Sequence, residues 1–346
     1  RLQELAVSLA SQAAVAYENT VLYQNIETLF EGFVKAAVTA IEQRDPTTSG
    51  HSFRVSRLTC GLAETVDKLT TGPYAALRFE REHMKEIRYA ALLHDFGKVG
   101  VREEVLVKAK KLYPHQLELI RQRFDYVRKS LEADFVRRQL TLLERGGSQQ
   151  NLKALEDDYH RQQAELDDFL QFILQVNEPT VLPEGRFDRL LDIAKRTYID
   201  ARGIERTYIT PEEVRFLSIP RGSLDPEERI QIESHVIHTF NFLAQIPWTR
   251  EIKDIPAIAR AHHEKLDGTG YPYKLRQAQI PPQTRMMTIS DMFDALSAAD
   301  RPYKKAVPVE RALEILAACV QQGQLDPLLF QLFVDAKIYQ LTARRR

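Results

Sequence analysis

Apolar residues recur at alternating intervals of three and four over most of this 346-residue chain, and that period restricts its segments to helices. The opening stretch is the clearest case. Leu2, Leu5, Leu9, Ala16, Tyr23, Ile26, Phe30 and Phe33 form one heptad seam, with Gln12 and Asn19 at two of its positions. Polar residues inside a seam weaken it but fix register and partner number, so the spacing predicts a long helix pairing in parallel with a second copy. An amphipathic helix lying on its own domain satisfies the same spacing. A second pair of seams runs through Leu117, Ile120, Phe124, Val127 and Leu131. Beyond Gly146-Gly147-Ser148 it resumes at Leu152, Leu155, Tyr159, Leu166, Phe169 and Ile173. Two long helices joined by a glycine turn predict an antiparallel hairpin of roughly 45 Å, with the seam of each helix satisfied by the other. The stretch 178–221 mixes proline, glycine and charge and predicts a short helix with irregular connections. Strand signals are almost absent, so the predicted class is all-α.

A hydrophobic content of 44% lets the chain bury a proper core, and 48 basic residues balance 48 acidic ones. That balance gives no reason to expect nucleic acid or a membrane surface as partner, and an anionic ligand must be gripped by a local cluster. The two cysteines, Cys60 and Cys319, lack CxxC spacing, which suits a reducing cytoplasm. No apolar run reaches the ~20 residues needed to span a bilayer. The chain starts inside a helical pattern without an initiator Met, and so reads as a piece of a longer protein.

Six of the nine histidines fall in four short contexts: Gly50-His51-Ser52, His94-Asp95, His235 with His238, and His262-His263-Glu264. Neutral imidazoles suit first-row divalent metals, and a carboxylate can bridge two ions. Two adjacent imidazoles are costly to bury unless something binds them. Each piece alone is weak, because an isolated buried histidine is more often a satisfied core residue than a ligand.

The order of the pieces carries more. Arg44-Asp45-Pro46, Gly50-His51-Ser52 with Arg54-Val55, and Ala90-Ala91-Leu92-Leu93-His94-Asp95-Phe96-Gly97-Lys98 resemble the first half of the HD-GYP family. The second half is similar to His262-His263-Glu264-Lys265-Leu266-Asp267-Gly268-Thr269-Gly270-Tyr271-Pro272, then Asp291-Met292-Phe293-Asp294-Ala295-Leu296 and Asp300-Arg301-Pro302-Tyr303. The resemblance covers residues 31–108 and 222–346 and implies an HD-type helical bundle. Residues 109–221 are then an insertion built on the hairpin, and 1–30 a signalling helix resembling the end of a GAF sensory domain.

The resemblance implies two divalent ions, iron or manganese in preference to zinc or nickel. His51, His94, Asp95 and Asp291 match the ligands of one, and His235, His262 and His263, with Asp95 bridging, those of the other. Some members hold a third metal through a glutamate where this chain has Thr47, so two are expected. His238, one turn after His235, reads as a packing residue. Lys98 and Asp95 are the expected catalytic residues, with Lys98 on the substrate phosphate. Asp45, Tyr271, Arg301 and Lys304 resemble further substrate contacts. The implied activity is hydrolysis of cyclic di-GMP to the linear dinucleotide or GMP, by a water that two ions sharing Asp95 acidify. A phosphodiesterase for mixed cyclic GMP-AMP and a catalytically weak cyclic dinucleotide receptor are the alternatives. The implied setting is a cytoplasmic homodimer, joined through the first helix, the hairpin or both.

Overall fold

The computed structural model describes residues 1–45, 48–180, 186–298 and 307–342. They are mostly helical. In chain order the elements are α1 (Leu2–Arg44), α2 (His51–Asp67), α3 (Arg81–Leu93), α4 (Glu103–Leu106), α5 (Pro114–Glu144), α6 (Gln149–Val176) and α7 (Arg186–Ala194). There follow β1 (Thr197–Ile199), β2 (Glu205–Thr207), α8 (Pro211–Leu217), α9 (Pro226–Glu233), α10 (His235–Leu243), α11 (Ile255–Ala259), α12 (Pro282–Ser297), α13 (Val309–Gln321) and α14 (Pro327–Asp335). Contacts divide the chain into two compact units, residues 1–107 with 230–346, and residues 108–229.

The first unit is a helical bundle with two apolar clusters. One joins Leu58, Leu62 and Val66 of α2 to Met286, Ile289 and Phe293 of α12, with Leu316 of α13 and Phe333 of α14. The other joins Val34 and Val38 of α1 to the end of α3, with Leu243 of α10 and Ile258 of α11. Both clusters include residues of α2 and α12, and α3 contributes to each. These three helices pack on one another and are held by apolar contacts over most of their length.

α1 behaves as two helices in one. From Phe30 onward it is anchored: the Phe30 ring meets Tyr89 and Trp248 edge-on, with centroids 5.2 and 5.8 Å apart, and Val34, Val38 and Ile41 are buried. Before Phe30 the seam lies open, with Leu2 86% and Tyr23 73% exposed and Leu5, Leu9 and Ile26 also exposed. A helix lying on its own domain accounts for the anchored part alone.

In the second unit α5 and α6 run antiparallel, linked by an Arg128–Asp167 ion pair and a Phe135–Tyr159 stack at 4.6 Å. Their inner ends do not satisfy each other alone, contrary to the expectation from the seams. Ile120, Phe124, Val127, Leu166 and Ile173 share one core with Leu190 and Ile193 of α7 and Phe216 and Leu217 of α8. The hairpin of β1 and β2 pairs Thr197 with Thr207; three-residue strands carry too few alternations to show in sequence. The two ends of this unit are clasped by a buried Lys108 whose Nζ donates to both Glu228 oxygens at 2.7 and 2.8 Å. The same ammonium lies over the Tyr113 and Phe216 rings. Among the described residues no helix is long and apolar enough to cross a membrane.

Candidate metal centre

Seven of the residues singled out in the sequence meet in the first unit, in two groups. One comprises His51, His94 and Asp291, the other Asp95, His235, His262 and His263, and within each the ligand atoms lie within 4.8 Å of one another. His51 opens α2, where the backbone N–H groups of Gly50 and Ser52 donate to the Glu42 carboxylate of α1 at 2.7 and 3.0 Å. That carboxylate replaces a local N-cap and fixes the end of the helix. His94 closes α3, and Asp95 begins the 3-10 turn Phe96–Gly100. His235 opens α10, His262 and His263 follow α11, and Asp291 lies on α12.

α10 is locked onto the His94-Asp95 turn. The Thr239 hydroxyl accepts from the Gly97 N–H at 2.8 Å and donates to the His94 carbonyl at 2.9 Å. Any Cβ at Gly97 would fall 1.9 Å from the His235 carbonyl oxygen, so only glycine lets the two backbones approach this closely. The loop after His263 is braced by Glu264, whose carboxylate accepts the N–H groups of Tyr273 and Leu275 at 2.7 and 2.9 Å. Gly270 fits there because a Cβ would lie 2.4 Å from the Lys265 nitrogen.

Four imidazoles are oriented by the same device. Nδ1 of His94, His235 and His262 each donates to the carbonyl three residues earlier, of Ala91, Ile232 and Ala259. Nδ1 of His51 donates instead to Asp294 at 2.7 Å, and Asp294 is held by Arg54 at 2.7 and 3.1 Å. In His94, His235 and His262, with Nδ1 spent as a donor, Nε2 is left as the lone-pair nitrogen facing the centre. The Nε2 atoms of His94, His235 and His262 are buried without a hydrogen-bond partner. Three orphaned acceptors aimed at two ionised carboxylates are unfavourable unless a cation binds between them, so the donor set fits divalent metals.

Asp95 lies between the groups. Its Oδ2 is 3.8 Å from His51 Nε2 and 3.6 Å from His94 Nε2, while its Oδ1 is 3.3 Å from His235 Nε2 and 3.9 Å from His262 Nε2. One carboxylate thus offers one oxygen to each side. Asp291 Oδ1 is 3.1 Å from His51 Nε2.

Protonation of three of the rings matches metal binding. Burial pushes His94 down, and burial with the neighbouring imidazoles pushes His262 well down. Burial lowers His263 to about 3. These rings are neutral ligands at neutral pH. Burial would raise Asp95 and Asp291, but Lys98 and the imidazoles around Asp95, and His51 beside Asp291, hold both carboxyls well below the usual range. Burial would also lower His51, yet its hydrogen bonds to Asp291 and Asp294 push it up to about 9.

Lys98 Nζ lies 2.9 Å from Asp95 and 3.1 Å from Asp45, a buried carboxylate. The Tyr271 ring rests on His263, with centroids 4.8 Å apart. His238 belongs to neither group and packs on Gly100, where a Cβ would lie 2.8 Å from its ring. Thr47, Arg301 and Lys304 lie outside the described residues. Glu42 and Thr239 escaped the sequence reading, and Arg54, Glu264 and Asp294 stood in its motifs without a role, although Asp294 lies one turn from Asp291 on the same helix face.

Two stretches match the HD domain family, residues 48–194 and residues 207–329. The first includes His51, His94 and Asp95, and the second His235, His262, His263 and Asp291. The chain is 42% identical over 109 residues to a 3'3'-cGAMP-specific phosphodiesterase of Vibrio cholerae, a match covering 32% of this chain and 23% of that protein. It is 44% identical over 75 residues to a cyclic di-GMP phosphodiesterase of Pseudomonas aeruginosa, covering 22% and 17%. A cyclic di-GMP phosphodiesterase response regulator of Xanthomonas campestris is 48% identical over 71 residues, covering 20% and 18%. The matches therefore span less than a quarter of each of these relatives.

Proposed function

We propose that this chain is a metal-dependent phosphodiesterase of the HD-GYP kind that hydrolyses cyclic di-GMP to the linear dinucleotide or GMP. The observation that carries the reading is Asp95, which turns one oxygen to each of two groups of imidazoles. His51, His94 and Asp291 would hold one divalent ion and His235, His262 and His263 the other, with Asp95 shared; iron or manganese fits imidazole and carboxylate donors. Two ions so held would acidify a water and offset charge on the phosphoryl oxygens. The protein's own residues do the rest. Lys98 is kept cationic against its burial by Asp95 and Asp45, and it places that charge beside the reacting phosphate, where negative charge grows as the ester P–O bond breaks. Tyr271, resting on His263, forms a wall for the substrate. Arg301 and Lys304 are further candidates for phosphate or base contacts.

Mixed cyclic GMP-AMP is the second reading, favoured by the 42% identity to the cGAMP-specific enzyme of Vibrio cholerae. The open seam before Phe30 supports a homodimer through α1, which would continue a GAF-like sensory domain, and residues 109–221 would be a regulatory insertion in a cytoplasmic enzyme. The purified protein should be assayed against both cyclic dinucleotides, with metal content measured on the same sample. Turnover of cyclic di-GMP that tracks metal content supports the reading, and metal-loaded protein inert on both would overturn it.

A further inference from the structure

Lined by residues of α1, α2 and α3 lies a cavity of about 410 Å³ that contains none of the candidate metal ligands. Three cations line it, Lys35 from α1, Arg57 from α2 and Arg88 from α3, against one acid, Glu64. Lys35 and Arg88 share a single carboxylate, Glu31, at 3.7 and 3.1 Å. Arg57 has no ion pair or hydrogen bond among the described residues. The cavity therefore holds more positive charge than its surroundings neutralise. Beside Ser56, its other walls include the exposed ring of Phe53, one turn before Arg57, and Leu341 near the C-terminal end of the described residues. Unspent guanidinium beside a flat aromatic face suits a ligand with a phosphate at one end and a planar ring at the other. The volume is at the lower end of ordinary small-ligand sites, ~300–1,000 Å³, the scale of a mononucleotide.

We propose that this cavity is a second, non-catalytic site for a nucleoside monophosphate, with the phosphate on Arg57, Arg88 and Lys35 and the base on Phe53. Its placement gives the site a consequence. The helices that line it are those that deliver His51, at the start of α2, and His94, at the end of α3. A ligand binding there bears on the spacing of two candidate metal ligands and on the anchored part of α1. The assignment of GMP as its occupant rests on the proposed reaction, which has that nucleotide as one of its two products; the site itself stands on the cavity.

The test is calorimetric titration of the metal-loaded full chain with GMP, beside inorganic phosphate and adenosine, for the native protein and for Arg57→Ser and Phe53→Ser. A GMP site distinct from the catalytic one, weakened at least about tenfold in each variant while basal turnover stays at the native level, is the expected result. Identical GMP isotherms in all three proteins would overturn the site. Inorganic phosphate binding as tightly as GMP would overturn the nucleotide assignment. Binding that depends on Arg57 in a protein inert on cyclic dinucleotides would leave the cavity assigned and the proposed reaction refuted.

Discussion

The metal centre of the first unit and the core of the second handle buried charge in opposite ways. Around the centre, Lys98 is paired with Asp95 and Asp45 and Arg54 with Asp294, while Asp291 faces the His51 ring, and the unsatisfied buried side-chain atoms among the described residues are imidazole nitrogens. In the second, Lys108 and Arg123 are paired with Glu228 and Glu213, but Lys111 is fully buried with a single weak hydrogen bond, 3.4 Å to the Leu217 carbonyl. The first pattern is the strain of a binding site, relieved by a ligand; the second is a cost borne by the fold itself. Substitutions should separate them, since those in the first unit change metal binding and chemistry and those at Lys111 change stability alone.

The largest effect short of losing the metals is expected at Lys98. Lys98→Ala should retain both ions and lose about 10²-fold or more in turnover, the order found when one electrostatic stabiliser is removed. Metal analysis beside the assay checks this. Loss of the ions would show that the lysine serves chiefly to hold Asp95, which it touches at 2.9 Å.

Asp294→Asn comes next. Without the carboxylate that orients it, His51 loses its fixed tautomer, and affinity for one ion should fall about 10- to 100-fold while the ion on His235, His262 and His263 is held nearly as before. Stepwise metal titration distinguishes the two sites. Equal weakening of both would mean that the groups are not independent.

The smallest effect lies in the second unit. Burial pushes the Lys111 ammonium from 10.5 down to about 8, so the unfolded chain binds the extra proton between those values. The penalty is complete below about pH 8, and stability of this unit should rise as pH climbs from about 8 towards 10.5. Lys111→Met should remove that slope and raise the unfolding free energy by roughly 1–3 kcal/mol. Denaturant melts of the two proteins at pH 7 and 10 check it, and a destabilised Met variant would mean that Lys111 has a partner in solution.

What was legible in the sequence follows the same division. The helical class and the seams of α5 and α6 were readable because burial imprints a period on each helix. The residues at the centre stood out because histidines and acids cluster in short contexts, and the structure brings all seven of the expected ligands together. The supports were not readable. Thr239 is 145 residues from the His94 carbonyl it binds, Asp294 is 243 from His51, and neither distance leaves a local pattern. The base of the hairpin was misjudged for the same reason, since Leu190, Ile193 and Phe216 share its core from outside the seam. The Thr239–Gly97 lock also bears on regulation. Displacing His235 from His94 would break both of the lock's hydrogen bonds, so α10 and the His94-Asp95 turn move as one.

The central claim is that Asp95 joins two metal sites into one. It is tested most directly by counting metal ions per chain in the native protein and in Asp95→Ala, prepared in parallel with the same divalent ion. The account predicts two ions per native chain, loss of both in the variant and turnover reduced to background. A variant that kept both ions and hydrolysed its substrate at the native rate would contradict it.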